Sequence, residues 1–260
     1  MSYSTLQFER QAEIATITMN RPEKRNAIST QMVEDLMAAL DEAERAPVRV
    51  VILTGSGKAF CSGMDLEGLR AIAQQSHEEN LEDSRRMGRM FYRLYSFPKP
   101  VITAVNGAAI AGGCGIATLA DFTLAVPEAK FGYTEVKIGF VPALVSVFLR
   151  RQIGEKSARD LLLSGRIIDA VEAHRMGLVM EVVSAENLTA RAREVAGILL
   201  AASPTSVGRA KRLLLGYDDA ALRAELELAV RANADIRSSA DFREGLSAFL
   251  EKREPKWTGG

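Results

Sequence analysis

A glycine-rich segment and a carboxylate twenty residues beyond it are the parts of this chain best suited to chemistry. A β-rich run at 101–105 leads through small residues, including Gly112 and Gly113, into a helical stretch at 116–120. Glycines at a helix start leave its backbone N–H groups open to an anion. Glu135 follows in an otherwise apolar and aromatic stretch. An anion hole with one carboxylate in a hydrophobic setting predicts proton abstraction beside a carbonyl.

A second segment has the same design. The β-branched run 48–54 is typical of a strand buried in a parallel sheet, and it ends in a glycine turn and a small-residue loop before Met64. Two such loops are able to supply one N–H each, from Met64 and from Gly112, to a shared hole. The residues alone are equally consistent with Met64 filling the core and Gly112 allowing close packing of a helix on a strand.

Six segments, in this order, carry a resemblance to a known family. They are 20–27 (NRPEKRNA), 57–66 (GKAFCSGMDL), 106–107 (NG) with 111–114 (AGGC), 129–132 (AKFG), 173–179 (AHRMGLV), and 244–245 (EG) with 249–253 (FLEKR). On these residues the chain is identified as a member of the crotonase superfamily, the enoyl-CoA hydratases and isomerases.

The resemblance implies an α/β fold: a crotonase-like spiral of repeated β-β-α units followed by C-terminal helices that assemble trimers, often paired into hexamers. Strand–helix alternation to about residue 180, and helical patterning after it, favour an α/β core over 1–200 and a helical region over 201–260. Within this frame, the acyl pocket is expected between the helices of 67–97 and the segment 141–149.

The resemblance also assigns roles at the site. Glu135 becomes the general acid/base, and the N–H groups of Met64 and Gly112 become the oxyanion donors. The substrate is an acyl-CoA thioester, with no metal and with coenzyme A present only as part of the substrate. The residues expected to contact the substrate or its CoA portion are Lys24, Arg25, Ala27, Ser62, Asp65, Leu66, Gly115, Tyr133, Phe249 and Lys252. From composition alone, Lys24, Arg25 and Lys252 are more simply explained as solvated surface charges.

Gly115 departs from the family pattern. Hydratases of the family carry a second glutamate there, and the two carboxylates hold the water that is added. One carboxylate suffices to move a proton from C2 to C4, so Gly115 favours Δ3,Δ2-enoyl-CoA isomerisation. Two alternatives stay open. One is hydration of a 2-enoyl-CoA, including a branched one for which Tyr133 holds a water or a substrate carboxylate; the other is a non-catalytic acyl-CoA-binding scaffold.

Composition excludes several other classes of protein. Formal net charge is zero, with 33 basic and 33 acidic residues, so neither nucleic acid nor an anionic membrane is an expected partner. The arginines of 85–93 follow a run of acidic residues and are expected to pair with them. The two cysteines offer no disulfide framework, and neither a signal peptide nor a membrane span is recognisable, so a cytoplasmic location is expected. Neither histidine accompanies a nucleophile, which argues against a triad hydrolase.

Local patterns predict the elements that must position these residues. Segments 6–8 and 14–19 predict a hairpin-like pair, and Ser29 is placed to cap a helix that Pro47 closes. The stretch 67–95 predicts a helix, a mobile turn near 74–80 and a longer helix.

Overall fold

The strands of the protein form two sheets in a computed structural model that describes residues 3–259. The six-stranded sheet contains, in spatial order, β1 (Leu6–Gln11), β2 (Ile14–Met19), β3 (Val50–Gly55), β5 (Val101–Val105), β7 (Phe122–Ala125) and β10 (Glu181–Val182). The four-stranded sheet contains β4 (Ala59–Cys61), β6 (Ala108–Ile110), β8 (Lys130–Gly132) and β9 (Ile167–Asp169).

Helices follow the strands and cover the sheets. They are α1 (Thr30–Arg45), α2 (Leu66–Ile72), α3 (His77–Tyr95), α4 (Gly112–Thr118), α5 (Ala143–Ser164), α6 (Ala170–Arg175), α7 (Leu188–Ala201), α8 (Pro204–Gly216), α9 (Asp219–Ile236) and α10 (Ala240–Glu251). Short 3-10 helices span Pro22–Lys24 and Glu135–Ile138. Within residues 3–259, no helix has both the length and the apolar character needed to cross a bilayer.

The chain passes repeatedly from the large sheet to the small sheet and then into a helix. β3 and β4 precede α2, β5 and β6 precede α4, and β7 and β8 precede the 3-10 helix Glu135–Ile138. β3, β5 and β7 pair in parallel, as do β4, β6 and β8. The loops that leave successive strands therefore emerge at the same edge of each sheet. This path confirms the predicted α/β spiral of β-β-α units.

Several local predictions hold. β1 and β2 form an antiparallel pair, and the Ser29 hydroxyl accepts a hydrogen bond from the N–H of Met32 at 3.2 Å to cap α1. The buried positions of α1 recur at helical spacing, and α1 ends at Arg45, before Pro47. All five residues of β5 are buried, as expected for a strand covered on both faces.

Two predicted boundaries are wrong. The turn expected over 74–80 is shorter, because Ser76 and Glu79 form a reciprocal capping box that begins α3 at His77. The helix expected to start at Gly112 and Gly113 and to run through 116–120 does start at Gly112, directly after β6, but it ends at Thr118. Gly112 and Gly113 therefore belong to the first turn of α4, so the N–H groups of interest lie at the start of the helix.

The C-terminal helices pack against the sheet-bearing part of the chain. α9 lies against α3 and α5, and its Leu222, Leu226 and Val230 belong to the main hydrophobic core. α10 packs on the 3-10 helix that begins with Glu135. The division into 1–200 and 201–260 stays a prediction, whereas the packing shows that 201–260 helps to enclose the space beside Glu135.

Candidate active site

One cavity of about 780 Å³ collects most of the residues singled out above. Its wall includes Glu135, Met64 and Gly112. The volume lies within the usual range for small-molecule sites. The helices of 67–97 contribute Leu69, Arg70, Met87 and Phe91 to the wall, and the segment after the 3-10 helix contributes Phe140, Val141, Pro142, Ala143, Leu144 and Val145.

Parallel pairing of two short strands brings the two loops together. β4 pairs with β6, so the loop after Cys61 and the turn after Ile110 leave the same edge of the small sheet. A Cβ placed on Gly63, whose φ is +86°, would lie 3.1 Å from both the Ala111 Cβ and the Ile110 carbonyl oxygen. Met64 directly follows Gly63 in the chain, and Gly112 directly follows Ala111. Their N–H groups are therefore neighbours in space, although they lie far apart along the chain.

Ala111 holds the start of α4 in a strained conformation. Its φ of +51° and ψ of −127° are unusual for a residue with a side chain. The Ala111 N–H donates to the Gly132 carbonyl at 2.7 Å, and its carbonyl accepts from the N–H of Cys114 at 2.9 Å. Gly112 is thereby fixed as the first residue of the helix, where an N–H has no acceptor inside the helix. Within residues 3–259 no other group accepts from it.

The Met64 N–H is free for a different reason. Ile28 runs beside this loop, donating its N–H to the Gly63 carbonyl at 2.7 Å and accepting from the N–H of Asp65 at 3.0 Å. Ile28 therefore bonds to the residues on either side of Met64. The N–H of Met64 itself donates to no acceptor in the described part of the chain. Two unpaired N–H donors beside one cavity are the components of an oxyanion hole.

A buried ion pair holds the Met64 loop in place. The Asp65 carboxylate accepts from the Gly68 N–H at 2.8 Å, which caps α2, and pairs with the Arg21 guanidinium at 3.2 Å. The same guanidinium donates to the Ala27 carbonyl at 2.7 Å. Asp65 lines the cavity as predicted for a substrate contact, but its carboxylate is occupied by these internal partners.

Glu135 lines the cavity together with apolar residues such as Val141 and Leu144. Burial raises its pKa from 4.5 to about 7, partly offset by a hydrogen bond from its own backbone N–H. Its Oε2 is buried and meets no hydrogen-bond partner among residues 3–259. A carboxylate with one free oxygen and a pKa near neutrality exchanges protons readily at physiological pH.

The pKa of Glu135 predicts the pH dependence of activity. When Glu135 accepts the first proton, the reactive form of the free enzyme is the carboxylate, which gains population as pH rises through about 7. We expect kcat/KM to rise about tenfold per pH unit below this value and to level off above it. A kcat/KM profile measured over the stable pH range checks this, and a flat profile through neutrality would contradict the assignment.

Gly115, predicted as a substrate contact, lies behind two residues of the cavity wall. A Cβ built on Gly115 would lie 2.7 Å from Cγ1 of Val145, and 3.3 Å and 3.4 Å from ring atoms of Phe91. Val145 and Phe91 both line the cavity. The volume that a side chain at position 115 would need is therefore filled by two apolar side chains.

We predict that Gly115→Glu alone destabilises the fold by about 1–3 kcal/mol, because the added side chain overlaps Val145. Gly115→Glu/Val145→Ala removes the closest overlap and adds a second carboxylate next to the wall of the cavity that Glu135 lines. We expect this double variant to hydrate a 2-enoyl-CoA faster than its matched control, Val145→Ala. Thermal melts and absorbance assays of the three variants test this; a folded double variant no faster than Val145→Ala would refute it.

Tyr133 is fully buried, away from the position predicted for it. It is 1% exposed, it lies outside the cavity wall, and its hydroxyl is 3.2 Å from the Thr118 hydroxyl. Burial raises the pKa of Tyr133 well above its ordinary value. In this position its hydroxyl contacts Thr118 of α4.

The remaining predicted contacts lie along the cavity and its mouth. They are Lys24, Arg25, Ala27, Ser62, Leu66, Phe249 and Lys252, and Arg70 joins them. Lys24 is 3.9 Å from Glu67, a loose and exposed contact that leaves the ammonium accessible. The cavity wall therefore includes four exposed basic residues, Lys24, Arg25, Arg70 and Lys252, together with the exposed acidic residues Glu23 and Glu67.

Sequence reasoning missed two groups in the cavity wall, Arg237 and Asn233. They lie four residues apart, continuing the stripe of buried positions that includes Leu226 and Val230 on α9. Polar residues at the apolar positions of a helix are the signal that would have found them. The expected pairing of the α3 arginines with the acidic residues before them is seen for Arg89, which contacts Glu82 at 2.6 Å. Arg85 and Arg93 pair instead with acidic residues of α9 and α1.

The fold and site define an α/β enzyme of the crotonase type. Residues 9–260 match the family described as enoyl-CoA hydratase/isomerase. The chain belongs to this family.

Individual relatives extend over nearly the whole chain. A putative enoyl-CoA hydratase from Thermus thermophilus is 45% identical over 245 residues, covering 94% of this chain and 97% of the relative. The structure of an enoyl-CoA hydratase/isomerase from Xanthobacter autotrophicus matches with a TM-score of 0.89 at 32% identity, covering 97% and 98% of the two chains. A carnitinyl-CoA hydratase from Mycobacterium avium matches with a TM-score of 0.88 at 35% identity, covering 100% of both chains.

Proposed function

We propose that this enzyme hydrates a 2-enoyl-CoA thioester, with Glu135 as its acid/base. The observation that carries the proton chemistry is the Glu135 carboxylate, whose Oε2 has no partner and whose pKa is about 7, in one cavity with Met64 and Gly112 and their free N–H groups. The names of the relatives support hydration, since the similar Thermus protein is called a hydratase.

In this proposal one carboxylate serves both proton transfers. Glu135 takes a proton from water as the water oxygen bonds to C3, and the electrons of the C2=C3 bond move onto the thioester oxygen. The N–H groups of Met64 and Gly112 stabilise that enolate oxygen. The protonated Glu135 then returns its proton to C2, which completes the 3-hydroxyacyl-CoA and regenerates the carboxylate. No cofactor beyond the CoA of the substrate enters the scheme.

Exposed basic residues along the cavity support a CoA ester as substrate. Lys24, Arg25, Arg70 and Lys252 line the cavity and outnumber the exposed acidic residues Glu23 and Glu67, and many of the other lining residues are apolar. The basic side chains can pair with the phosphate groups of CoA, and the apolar side chains can pack around an acyl chain.

Isomerisation of a 3-enoyl-CoA is the second candidate, favoured by the side chains that occupy the space at position 115. With Val145 and Phe91 there, no second carboxylate assists Glu135 in holding water. Glu135 would then remove a proton from C2 of the substrate and return it to C4, leaving the double bond conjugated with the thioester.

A paired assay separates the candidates. Purified enzyme is given a 2-enoyl-CoA and, separately, a 3-enoyl-CoA, and absorbance of the conjugated thioester is followed. Loss of 2-enoyl absorbance supports hydration, and a gain from the 3-enoyl substrate supports isomerisation. Binding of both esters with no turnover of either would contradict both and indicate an acyl-CoA-binding scaffold.

We also propose that the enzyme is a homotrimer or homohexamer and acts in the cytoplasm. Large apolar side chains of the C-terminal helices are exposed in the single chain, including Leu213, Leu214, Tyr217 and Leu228. Burial in an oligomer would remove this apolar surface from water. The two cysteines are buried and unpaired, which suits a reducing compartment. Light scattering coupled to size-exclusion chromatography gives the mass of the assembly, and a monomer would refute the proposal.

A further inference from the structure

The last helix, α10, packs directly on the 3-10 helix Glu135–Ile138 that carries the acid/base carboxylate. Two glycines let the two backbones touch. A Cβ built on Gly245 of α10 would lie 2.3 Å from the Ile138 carbonyl oxygen. One built on Gly139 would lie 2.3 Å from the carbonyl oxygen of Asp241, in the first turn of α10. A side chain at either position would therefore force the two helices apart.

Gly139 connects this contact to the backbone of Glu135. Its φ of +69° ends the 3-10 helix in a left-handed conformation, and its N–H donates to the Val136 carbonyl at 3.3 Å. The N–H of the next residue, Phe140, donates to the Glu135 carbonyl at 3.0 Å. The residues that α10 touches are thus hydrogen-bonded to the segment that presents the carboxylate.

The 3-10 helix has little other support. Among the helices and strands, α10 makes the most extensive contact with it, and α5 makes a smaller one. Its two aliphatic residues, Val136 and Ile138, belong to neither hydrophobic core cluster. The core therefore does not fix this segment, and the depth at which α10 packs sets where its backbone lies.

α10 also contacts the oxyanion side of the site. Its Phe242, Leu246 and Leu250 share a hydrophobic cluster with α2, with Phe140 and with Met64, which carries one proposed oxyanion donor. The rings of Phe242 and Phe140 have centres 5.2 Å apart. One helix therefore packs against both the acid/base segment and the Met64 loop.

Building on the proposed acyl-CoA chemistry, we propose that Gly245 is a positioning residue, which lets α10 pack closely enough to hold the Glu135 carboxylate in place relative to the oxyanion donors. Gly139 forms the other half of the same contact. Neither glycine lines the cavity, whereas Phe249 and Lys252 of the same helix do. The role of Gly245 is thus separate from the contacts that α10 makes with substrate.

Gly245→Ala tests the proposal. The added methyl group must move away from the Ile138 carbonyl by about 1 Å to reach van der Waals contact. Because a displacement of this size at a catalytic group slows the chemical step, we expect kcat to fall at least about tenfold. Binding of a saturated acyl-CoA, measured by calorimetry, should weaken by a smaller factor than kcat falls.

Two control variants separate positioning from other effects. Gly197→Ala makes the same change at an exposed position of α7, where a Cβ meets no atom within 4 Å, and its kcat should equal that of the wild type. Lys252→Ala removes a cavity-lining side chain from α10 and should raise KM more than it lowers kcat.

Hydrogen exchange gives a readout that needs no turnover and holds even if Gly245→Ala does not fold. Leu246→Ala removes part of the cluster that holds α10 and adds no bulk. We expect the amides of Gly139 and Phe140 to exchange at least about tenfold faster in this variant, together with those of α10. The amides of β5 should keep their wild-type rates.

Three results would overturn the inference: wild-type kcat in folded Gly245→Ala, a loss of acyl-CoA binding in that variant as large as its loss of kcat, or faster exchange of α10 in Leu246→Ala with Gly139 and Phe140 unchanged. Failure of the proposed function appears separately, as wild-type enzyme that converts neither enoyl-CoA while the exchange of α10 and of Gly139 and Phe140 remains coupled.

Discussion

Glu135→Gln is expected to lower kcat on the order of 10³-fold for whichever enoyl-CoA the enzyme converts. The amide keeps the shape of the side chain but accepts no proton at neutral pH, so the proposed route for proton transfer is lost. The Met64 and Gly112 N–H groups stay in place, so substrate binding should change little. Steady-state kinetics on the paired 2-enoyl and 3-enoyl substrates measure kcat and KM separately, and the rise of kcat/KM near pH 7 should vanish.

The same variant should be more stable than the wild type at high pH. In the folded protein, burial raises the Glu135 pKa from 4.5 to about 7, so the carboxylate disfavours folding increasingly as pH rises between these values. A shift of this size corresponds to up to about 3 kcal/mol, less the cost of burying the amide. Melting temperatures should differ most above about pH 7 and converge near pH 4.5. A variant that retains activity, or one less stable than wild type at every pH, would contradict the assignment.

Gly112→Pro is expected to lower kcat about 10²- to 10³-fold relative to Gly112→Ala. Gly112 is the first residue of α4, a position that proline occupies readily because its N–H is not used by the helix. Proline therefore removes the proposed oxyanion donor, whereas alanine keeps it. A Cβ at this position would lie 3.2 Å from Cδ1 of Ile28 in both variants, so alanine controls for the added bulk.

Melting curves and binding of a saturated acyl-CoA establish that both variants keep the fold and the cavity. The effect should fall mainly on kcat, because the enolate oxygen carries more charge than the ground-state carbonyl. Equal rates for the proline and alanine variants would show that the Gly112 N–H does not face the reacting oxygen.

Much of the fold was predictable because its determinants are local. Buried runs such as 48–54 and 101–105 indicate strands of a parallel sheet, and Ser29 indicates the start of α1. Local reasoning failed at 74–80, and at α4 it gave the glycine start without the interaction that fixes it. At the first, the Ser76–Glu79 capping box was overlooked; at the second, the strained turn at Ala111 depends on a hydrogen bond to the distant Gly132. Such a partner is invisible to any short window of sequence.

The sequence by itself determined the acid/base candidate and the two loops that flank it, because Glu135 is the lone carboxylate in an apolar stretch and each loop follows a strand with a glycine turn. Only the tertiary structure decided that Met64 and Gly112 are neighbours, through the parallel pairing of β4 with β6. It also placed Val145 in the space beside Gly115, turned Tyr133 into the core, and brought Arg237 to the acyl cavity. These outcomes depend on contacts between segments far apart in the chain, and local residue patterns do not encode which distant side chain will fill a given space.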